Sequence, residues 1–213
     1  IMNNHLFWLK FGLFSVGLGQ SFAFVLVPPL ARDLGLSEIQ TSTIFAISAV
    51  AWAITSASWG RASDKLGRRN IAVIGLIGYS ISIIALITPL FLVEQNLLAF
   101  VYLFPSLILG RLINGLIGSA TRPASFAYLA DITPPEKRTV KFARMESSFL
   151  AGTVLGPLIG GFLFLFSQSL PFYLFAACAL IAAFQLYLKM PNTKITTDTA
   201  NEINTISFRD ANV

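Results

Sequence analysis

The sequence predicts an all-α membrane protein with six transmembrane helices. Of its 213 residues, 55% are hydrophobic and only 12% are charged, whereas soluble domains carry about 25% charged residues. The apolar residues are grouped in long runs, each at least as long as the ~20 residues that a helix needs to cross a bilayer, and only the fourth carries charges in its interior, at Arg111 and Arg122. Lys and Arg cluster between alternate runs. Together these observations indicate that the excess apolar side chains face lipid.

Hydropathy assigns the helices to residues 8–31, 39–60, 70–93, 97–130, 143–166 and 170–189. The last two share one uncharged run, and the polar segment Ser167–Pro171 predicts a tight hairpin between them. A closed barrel also satisfies its backbone groups in lipid, but uninterrupted apolar runs of this length favour helices. Residues 1–190 are therefore expected to form one six-helix unit. Residues 191–213 are polar and predict a cytoplasmic tail or the start of a central linker.

The basic residues predict the orientation of the helices. They concentrate after the second and fourth predicted helices, at Arg61, Lys65, Arg68, Arg69, Lys137, Arg138, Lys141 and Arg144. Short basic segments stay in the cytoplasm. Both chain ends are therefore expected to be cytoplasmic, with the protein in a plasma membrane or bacterial inner membrane.

Composition excludes several function classes. Cys178 is the single cysteine and His5 the single histidine, so the chain has no intramolecular disulfide. It also has no metal cluster built on His and Cys, and no Ser-His or Cys-His dyad inside the membrane. We predict no enzymatic activity and no cofactor. The net charge of +5 does not indicate nucleic acid, because the cations flank the apolar runs and point to a lipid bilayer as partner.

Three motifs follow one another along the chain. The first, "GRASDKLGRR" (Gly60–Arg69), joins the second and third helices and contains Asp64, Gly67 and Arg68. The second, "RLINGLIG" (Arg111–Gly118), lies in the fourth helix. The third, "GTVLGPLIGG" (Gly152–Gly161), lies in the fifth helix.

These motifs resemble signatures of the major facilitator superfamily. The first resembles the family's signature between helices two and three. The second resembles its Arg-x-x-x-Gly element, although Asn114 stands where that element usually has glutamine. The third resembles the Gly-x-x-x-Gly-Pro-x-x-Gly-Gly signature of the drug/proton antiporter branch, and "LADITPPEKR" (Leu129–Arg138) resembles the segment after helix four in that branch. The resemblance covers about residues 6–190.

The resemblance implies one half of a fold in which each half consists of two inverted three-helix repeats. It implies efflux of hydrophobic or amphipathic small molecules in exchange for protons, by alternating access to a site between the halves. The chain is expected to be only the N-terminal half, a truncated product whose C-terminal six-helix half is missing. Two alternatives stay open. One is a carrier of another solute, such as a siderophore, sugar or metabolite; the other is a fragment that does not transport without a second half.

Candidate residues for substrate or proton handling are polar groups within the spans. Arg111 lies near the middle of the fourth helix, where an ionisable residue is costly and usually faces a cavity or a partner. Asn114 and Gly115 lie one turn further on. Gln20 is the main polar residue in the middle of the first helix. No Asp or Glu lies at the middle of any span, so the acids near the cytoplasmic ends of the fourth and fifth helices become the coupling candidates, namely Asp131 and Glu146.

The glycines of the third motif predict close helix packing. Gly152, Gly156 and Gly160 recur every fourth residue and therefore share one helix face, where small residues allow another backbone to approach. The resemblance adds a gating role for this motif, including Pro157 and Gly161. It also implies a conformational gate at Gly60, Asp64, Gly67, Arg68 and Arg69, in which Asp64 contacts the second half. The residues themselves also allow Asp64 to cap the third helix.

Five further residues carry structural expectations. Pro123 is expected to kink the fourth helix, and Arg122 beside it is expected to reach the cytoplasmic interface along its aliphatic stem. Trp8, Trp52 and Trp59 are expected to be interface or packing aromatics rather than cavity walls. The abundant phenylalanines are expected to face lipid for the most part.

Overall fold

The computed structural model describes residues 4–193 and confirms the all-α fold class. Its α-helices are α1 (Asn4–Asp33), α2 (Glu38–Leu66), α3 (Arg68–Glu94), α4 (Leu103–Leu116), α5 (Thr121–Asp131), α6 (Pro135–Phe164) and α7 (Leu170–Lys189). By length and composition, 6 stretches could cross a membrane, and the fourth of them joins α4 and α5. The predicted polar tail lies outside the described residues, apart from residues 191–193.

The first motif is helical except at Gly67, although its charge suggests a loop. α2 continues through the charged residues to Leu66 and α3 begins at Arg68, so Gly67 alone separates the two helices. Gly67 has φ +98° and ψ 138°, a conformation that side chains with a Cβ rarely adopt. Asp64 lies in the last turn of α2, and no side chain caps α3. The expectation that Asp64 caps the third helix is therefore wrong.

The turn between α1 and α2 is fixed by local hydrogen bonds. Gly35 adopts φ +105° just after α1. Ser37 then forms a capping box with Gln40: the backbone N–H of Gln40 donates to Ser37 Oγ at 3.2 Å, and that of Ser37 donates to Gln40 Oε1 at 2.9 Å. These bonds satisfy two backbone donors that the first turn of α2 would otherwise leave free.

The fourth span is interrupted where Pro123 predicts a disturbance. A short 3-10 helix, Gly118–Ala120, separates α4 from α5. Pro123 has no N–H to donate to the carbonyl four residues earlier, and its ring clashes with that carbonyl. The carbonyls just before the break find donors on α2: Thr55 Oγ1 lies 2.9 Å from Gly115 O, and Trp59 Nε1 lies 2.6 Å from Leu116 O. Side chains of α2 thus stabilise the interrupted helix.

The helices pack with α1 between α6 and α7, and with α3 between α4 and α7. α6 lies close to α1 because three of its glycines face that helix. A Cβ at Gly152 would collide with the backbone of Phe14, one at Gly156 with the backbone of Leu18, and one at Gly160 with a phenylalanine ring of α1. The predicted close approach along this face is confirmed for these three glycines.

Gly161 differs from Gly160, because a Cβ built there would meet no described atom within 4 Å, so this glycine is not part of the contact with α1. Pro157 is half-buried within the continuous helix α6.

We expect Gly156→Ala to lower the free energy of unfolding by about 1–3 kcal/mol, because the new methyl group overpacks the α1–α6 contact. Denaturant unfolding of the purified chain in detergent, followed by circular dichroism, measures this change. Gly161→Ala is the matched control and should be neutral or slightly stabilising, since alanine is the better helix former. Equal destabilisation by both substitutions would contradict the packing role of Gly156.

Candidate functional site

A cavity of about 360 Å³ opens between α1, α2, the fourth span and α6. Its volume lies within the ~300–1,000 Å³ that small-molecule sites occupy. Aromatic side chains form much of its wall, namely Phe24, Phe45, Trp52 and Phe149. The polar lining consists of Gln20, Ser48, Ser56, Asn114, Arg111 and Arg122. Such a cavity can hold a molecule that is largely apolar and carries a few polar groups.

Arg111 is the most deeply buried charge at this cavity, with 2% of its surface exposed. Its guanidinium carbon lies 5.4 Å from the ring centroid of Phe24 and 4.8 Å from that of Phe45. The two rings stack on each other at 4.7 Å. Within residues 4–193, Arg111 forms no ion pair and its Nε has no hydrogen-bond partner. Aromatic faces stabilise the cation in part, and its donors stay available to a ligand.

Two amide oxygens close to this region also lack partners. Gln20 Oε1 and Asn114 Oδ1 are buried atoms that accept no hydrogen bond from any described residue. Leaving a buried acceptor unsatisfied costs about 1–3 kcal/mol. The sequence prediction grouped Gln20, Arg111 and Asn114, and the structure brings all three to one cavity.

Gly115 is not part of the cavity lining. A Cβ at this position would collide with the carbonyl of Ser48 and the side chain of Ala51 on α2. Gly115 therefore allows α4 to pack closely on α2, and the expectation of direct substrate or proton handling by this residue has no contact to support it.

Arg122 is paired within the bundle. Its Nη2 lies 2.7 and 2.6 Å from the two carboxylate oxygens of Glu146. Its guanidinium carbon lies 4.6 Å from the ring centroid of Phe149, and the residue lines the cavity. The sequence did not predict this partner on α6, and the placement of Arg122 at the cytoplasmic interface stays a prediction.

A second group of charges ties the ends of α2, α3 and α5 together. The buried Arg68 guanidinium contacts Asp64 at 2.5 Å through Nη1 and Asp131 at 2.9 Å through Nε. Its Nη1 also donates to Ser63 Oγ at 2.6 Å. Arg68 itself is 5% exposed, so the two carboxylates compensate a charge that water barely reaches. Asp64 and Asp131 are thus joined through one arginine.

Arg69 and Gly67 contact the end of α7 instead. Arg69 lies over the ring of Tyr187 at 5.0 Å and donates to the carbonyls of Tyr187 and Met190 at 3.3 and 3.4 Å. A Cβ at Gly67 would collide with the Asn192 side chain. Gly60 lies nearer the fourth span, where a Cβ would come 4.0 Å from Pro123. Within the first motif, Gly67 and Arg69 therefore lie against the end of α7 and the residues after it, whereas Gly60 lies nearer the fourth span.

Residues 9–210 match the sequence model described as Major Facilitator Superfamily. The chain belongs to this superfamily. It is 33% identical over 181 residues to the Quinolone resistance protein NorA of Staphylococcus aureus, an alignment that covers 85% of the chain and 44% of NorA. It is 30% identical over 171 residues to Multidrug resistance protein 1 of Bacillus subtilis, covering 80% of the chain and 41% of that protein. The chain therefore spans less than half the length of these curated relatives.

The membership agrees with the six apolar helices, and we describe the chain as a multi-pass membrane protein of a transporter superfamily. Sequence reasoning missed most of the cavity wall. Trp52 was expected to be a packing or interface aromatic, and it lines the cavity instead. The missed signal is a spacing on α2: Phe45, Ser48, Trp52 and Ser56 recur at intervals of three or four residues and so share one helix face.

We expect Asp131→Asn to lower the free energy of unfolding by about 1–2 kcal/mol, because it removes one of two charged acceptors of Arg68. The loss is small because the Asp131 side chain is 34% exposed and water screens the pair. Denaturant unfolding in detergent measures the change. Asp33→Asn, at an exposed aspartate that forms no ion pair within residues 4–193, should shift stability by less than about 0.5 kcal/mol. Equal shifts would show that Arg68 does not depend on Asp131.

Proposed function

We propose that this chain is the N-terminal half of an exporter that moves hydrophobic or amphipathic small molecules across the cell membrane in exchange for protons. The observation that supports this most is the aromatic cavity around Arg111. It offers apolar surface to most of a ligand, and its polar lining, which includes Arg111, Gln20 and Asn114, can contact the ligand's polar groups. The relatives named for quinolone and multidrug resistance favour cargo of this kind.

A second six-helix half is part of the proposal. α2 and α6 flank the cavity, yet only 11% and 17% of their most apolar windows are buried, compared with 67% for α3. α2 also exposes small residues on one face, at Ala46, Ala49, Ala53 and Ala57. Small residues on a membrane helix allow another helix to pack closely. We expect the second half to cover these faces and to close the cavity between the halves.

Glu146 is our candidate for the proton carrier of this half. It is bonded to Arg122, which lines the cavity. A proton on Glu146 would cancel one charge of the pair and release the Arg122 guanidinium towards the cavity. Asp131 is the second candidate, since its protonation would weaken the Arg68 contact that joins α3 to α5. In either case, protonation of the carboxylate changes the contacts between charged side chains.

The proposed orientation places both chain ends in the cytoplasm. The basic residues at the C-terminal end of α2 and in the N-terminal part of α6 support this orientation, because Lys and Arg are retained on the inner side during insertion. In this orientation the Arg68 cluster lies at the cytoplasmic end of the bundle, and the turn at Gly35 and Ser37 lies outside.

The test is efflux of a fluorescent hydrophobic dye from bacteria that lack their own exporters. Cells with this chain followed by a second six-helix half should lower dye accumulation, and dissipating the proton gradient should restore it. Cells with residues 1–213 alone should accumulate dye like cells without the chain, because the cavity is then closed on one side only. Efflux that persists after the gradient is dissipated would reject proton coupling, and efflux by the chain alone would reject the need for a second half.

We expect Arg111→Lys to reduce dye efflux by roughly tenfold. A lysine keeps the charge but loses the planar stacking on Phe24 and Phe45, worth about 1–2 kcal/mol in a desolvated site. Initial efflux rates at matched protein levels provide the measurement. Arg32→Lys is the matched control, since Arg32 forms an exposed pair with Glu38 at 3.3 Å and should leave the rate unchanged. If Arg111→Lys and the control had equal efflux rates, the role of Arg111 in the substrate site would be contradicted.

A further inference from the structure

A second cavity, of about 390 Å³, lies between the N-terminal parts of α1 and α6 and the end of α5, where Leu129 lines it. Three cations line it: Lys10 on α1, and Lys141 and Arg144 on α6. The opening lies at the end of the bundle where α5 ends at Asp131, close to the Arg68 cluster. It is separate from the aromatic cavity, because no residue lines both.

The charge of this cavity is uncompensated in the part of the chain that the structure describes. No acidic residue lines it, and Lys10, Lys141 and Arg144 form no ion pair within residues 4–193. Asp131 pairs with Arg68 and Glu146 with Arg122, while Glu136 in the first turn of α6 is exposed and forms no ion pair within residues 4–193. Three like charges around one space repel one another, and an anion between them would reverse the sign of that interaction.

The rest of the lining is apolar. Met145 and Leu129 are buried, Leu6 is half-buried, and Phe7 is 57% exposed. Apolar side chains offer a small soluble anion no favourable contact, and the anion would lose hydration beside them. A phospholipid presents a phosphate and an acyl chain side by side, which matches cations that adjoin exposed apolar side chains at the start of membrane-spanning helices.

We propose that this basic cavity binds the phosphate of an anionic phospholipid. The headgroup lies among Lys10, Lys141 and Arg144, and an acyl chain runs along Leu6 and Phe7. Retention of cations on the inner side of the membrane explains why basic residues occur at this end. It does not explain why these three converge on one cavity, since Arg61, Lys65 and Lys137 meet the same requirement at exposed positions outside it.

The bound lipid would connect α1 to α6 in the N-terminal parts of both helices. Gly152 and Gly156 hold the same two helices together further along. The lipid site therefore adds a contact that depends on membrane composition to the most intimate helix pair of the bundle. The inference does not depend on which solute the protein moves.

The experiment is native mass spectrometry of the 213-residue chain, released from nanodiscs of phosphatidylcholine that contain phosphatidylglycerol. We expect the chain to retain phosphatidylglycerol, and the triple variant Lys10→Gln, Lys141→Gln, Arg144→Gln to retain at least about tenfold less. The triple variant Arg61→Gln, Lys65→Gln, Lys137→Gln removes the same charge from the same end and should retain the lipid as the unmodified chain does. Equal losses in both variants would overturn the site and leave only general surface attraction.

Two further arms keep the result decisive. Excess inorganic phosphate should not displace the lipid; displacement by phosphate would mean that the cavity binds a free anion and that the lipid assignment is wrong. A phosphatidylglycerol with a photoreactive headgroup, applied to the unmodified chain, should label residues 5–10 and 141–145. Labelling elsewhere, or equal labelling by a photoreactive phosphatidylcholine, would overturn the proposal without any variant having to fold.

Discussion

A charge within a membrane-spanning helix has to be compensated inside the protein, and three arginines in this bundle meet that constraint differently. Arg68 has two carboxylates and a hydroxyl. Arg122 has one carboxylate and an aromatic face. Arg111 has only aromatic faces within the described chain. Desolvated ions are expensive unless paired. The number of carboxylate partners falls from Arg68 through Arg122 to Arg111, so Arg111 has the most to gain from an additional partner. The cavity is lined by this arginine, Arg111.

Two of these arginines line one cavity from either side of the interruption in the fourth span. Arg111 lies on α4 and Arg122 on α5, and their separation in sequence is close to three α-helical turns, so both fall on one side of the span. A break inside a membrane exposes carbonyls that lipid cannot satisfy. Thr55 and Trp59 supply donors from α2. The same helix thus contributes Trp52 to the cavity wall and stabilises the break between α4 and α5.

Sequence patterns predicted the parts of this structure that depend on local physics. Uncharged runs located the spans, and Ser167–Pro171 marked the hairpin, since α6 ends at Phe164 and α7 begins at Leu170. Patterns could not predict contacts between distant residues. Arg68 and Asp131 are 63 residues apart, and Arg122 and Glu146 are 24 apart on different helices. Hydropathy also ended α2 too early, because backbone hydrogen bonds continue a helix beyond the last apolar residue. The cavity depends on such contacts and so was only partly foreseen.

The packing divides the bundle into an inner scaffold and an exposed side. α3 and α7 pack on each other and on the helices that hold the cavity, and α3 is the most buried span. α1 is fixed to this scaffold through α7 and to α6 through glycines, where even one methyl group has no room. Movement within this bundle is therefore difficult along α1 and α3, because close-packed interfaces do not deform continuously. α2 and α6 have the smallest buried shares of the six spans, and they contribute Trp52 and Phe149 to the cavity wall. The second half proposed above would therefore make its contacts on the two helices that border the cavity.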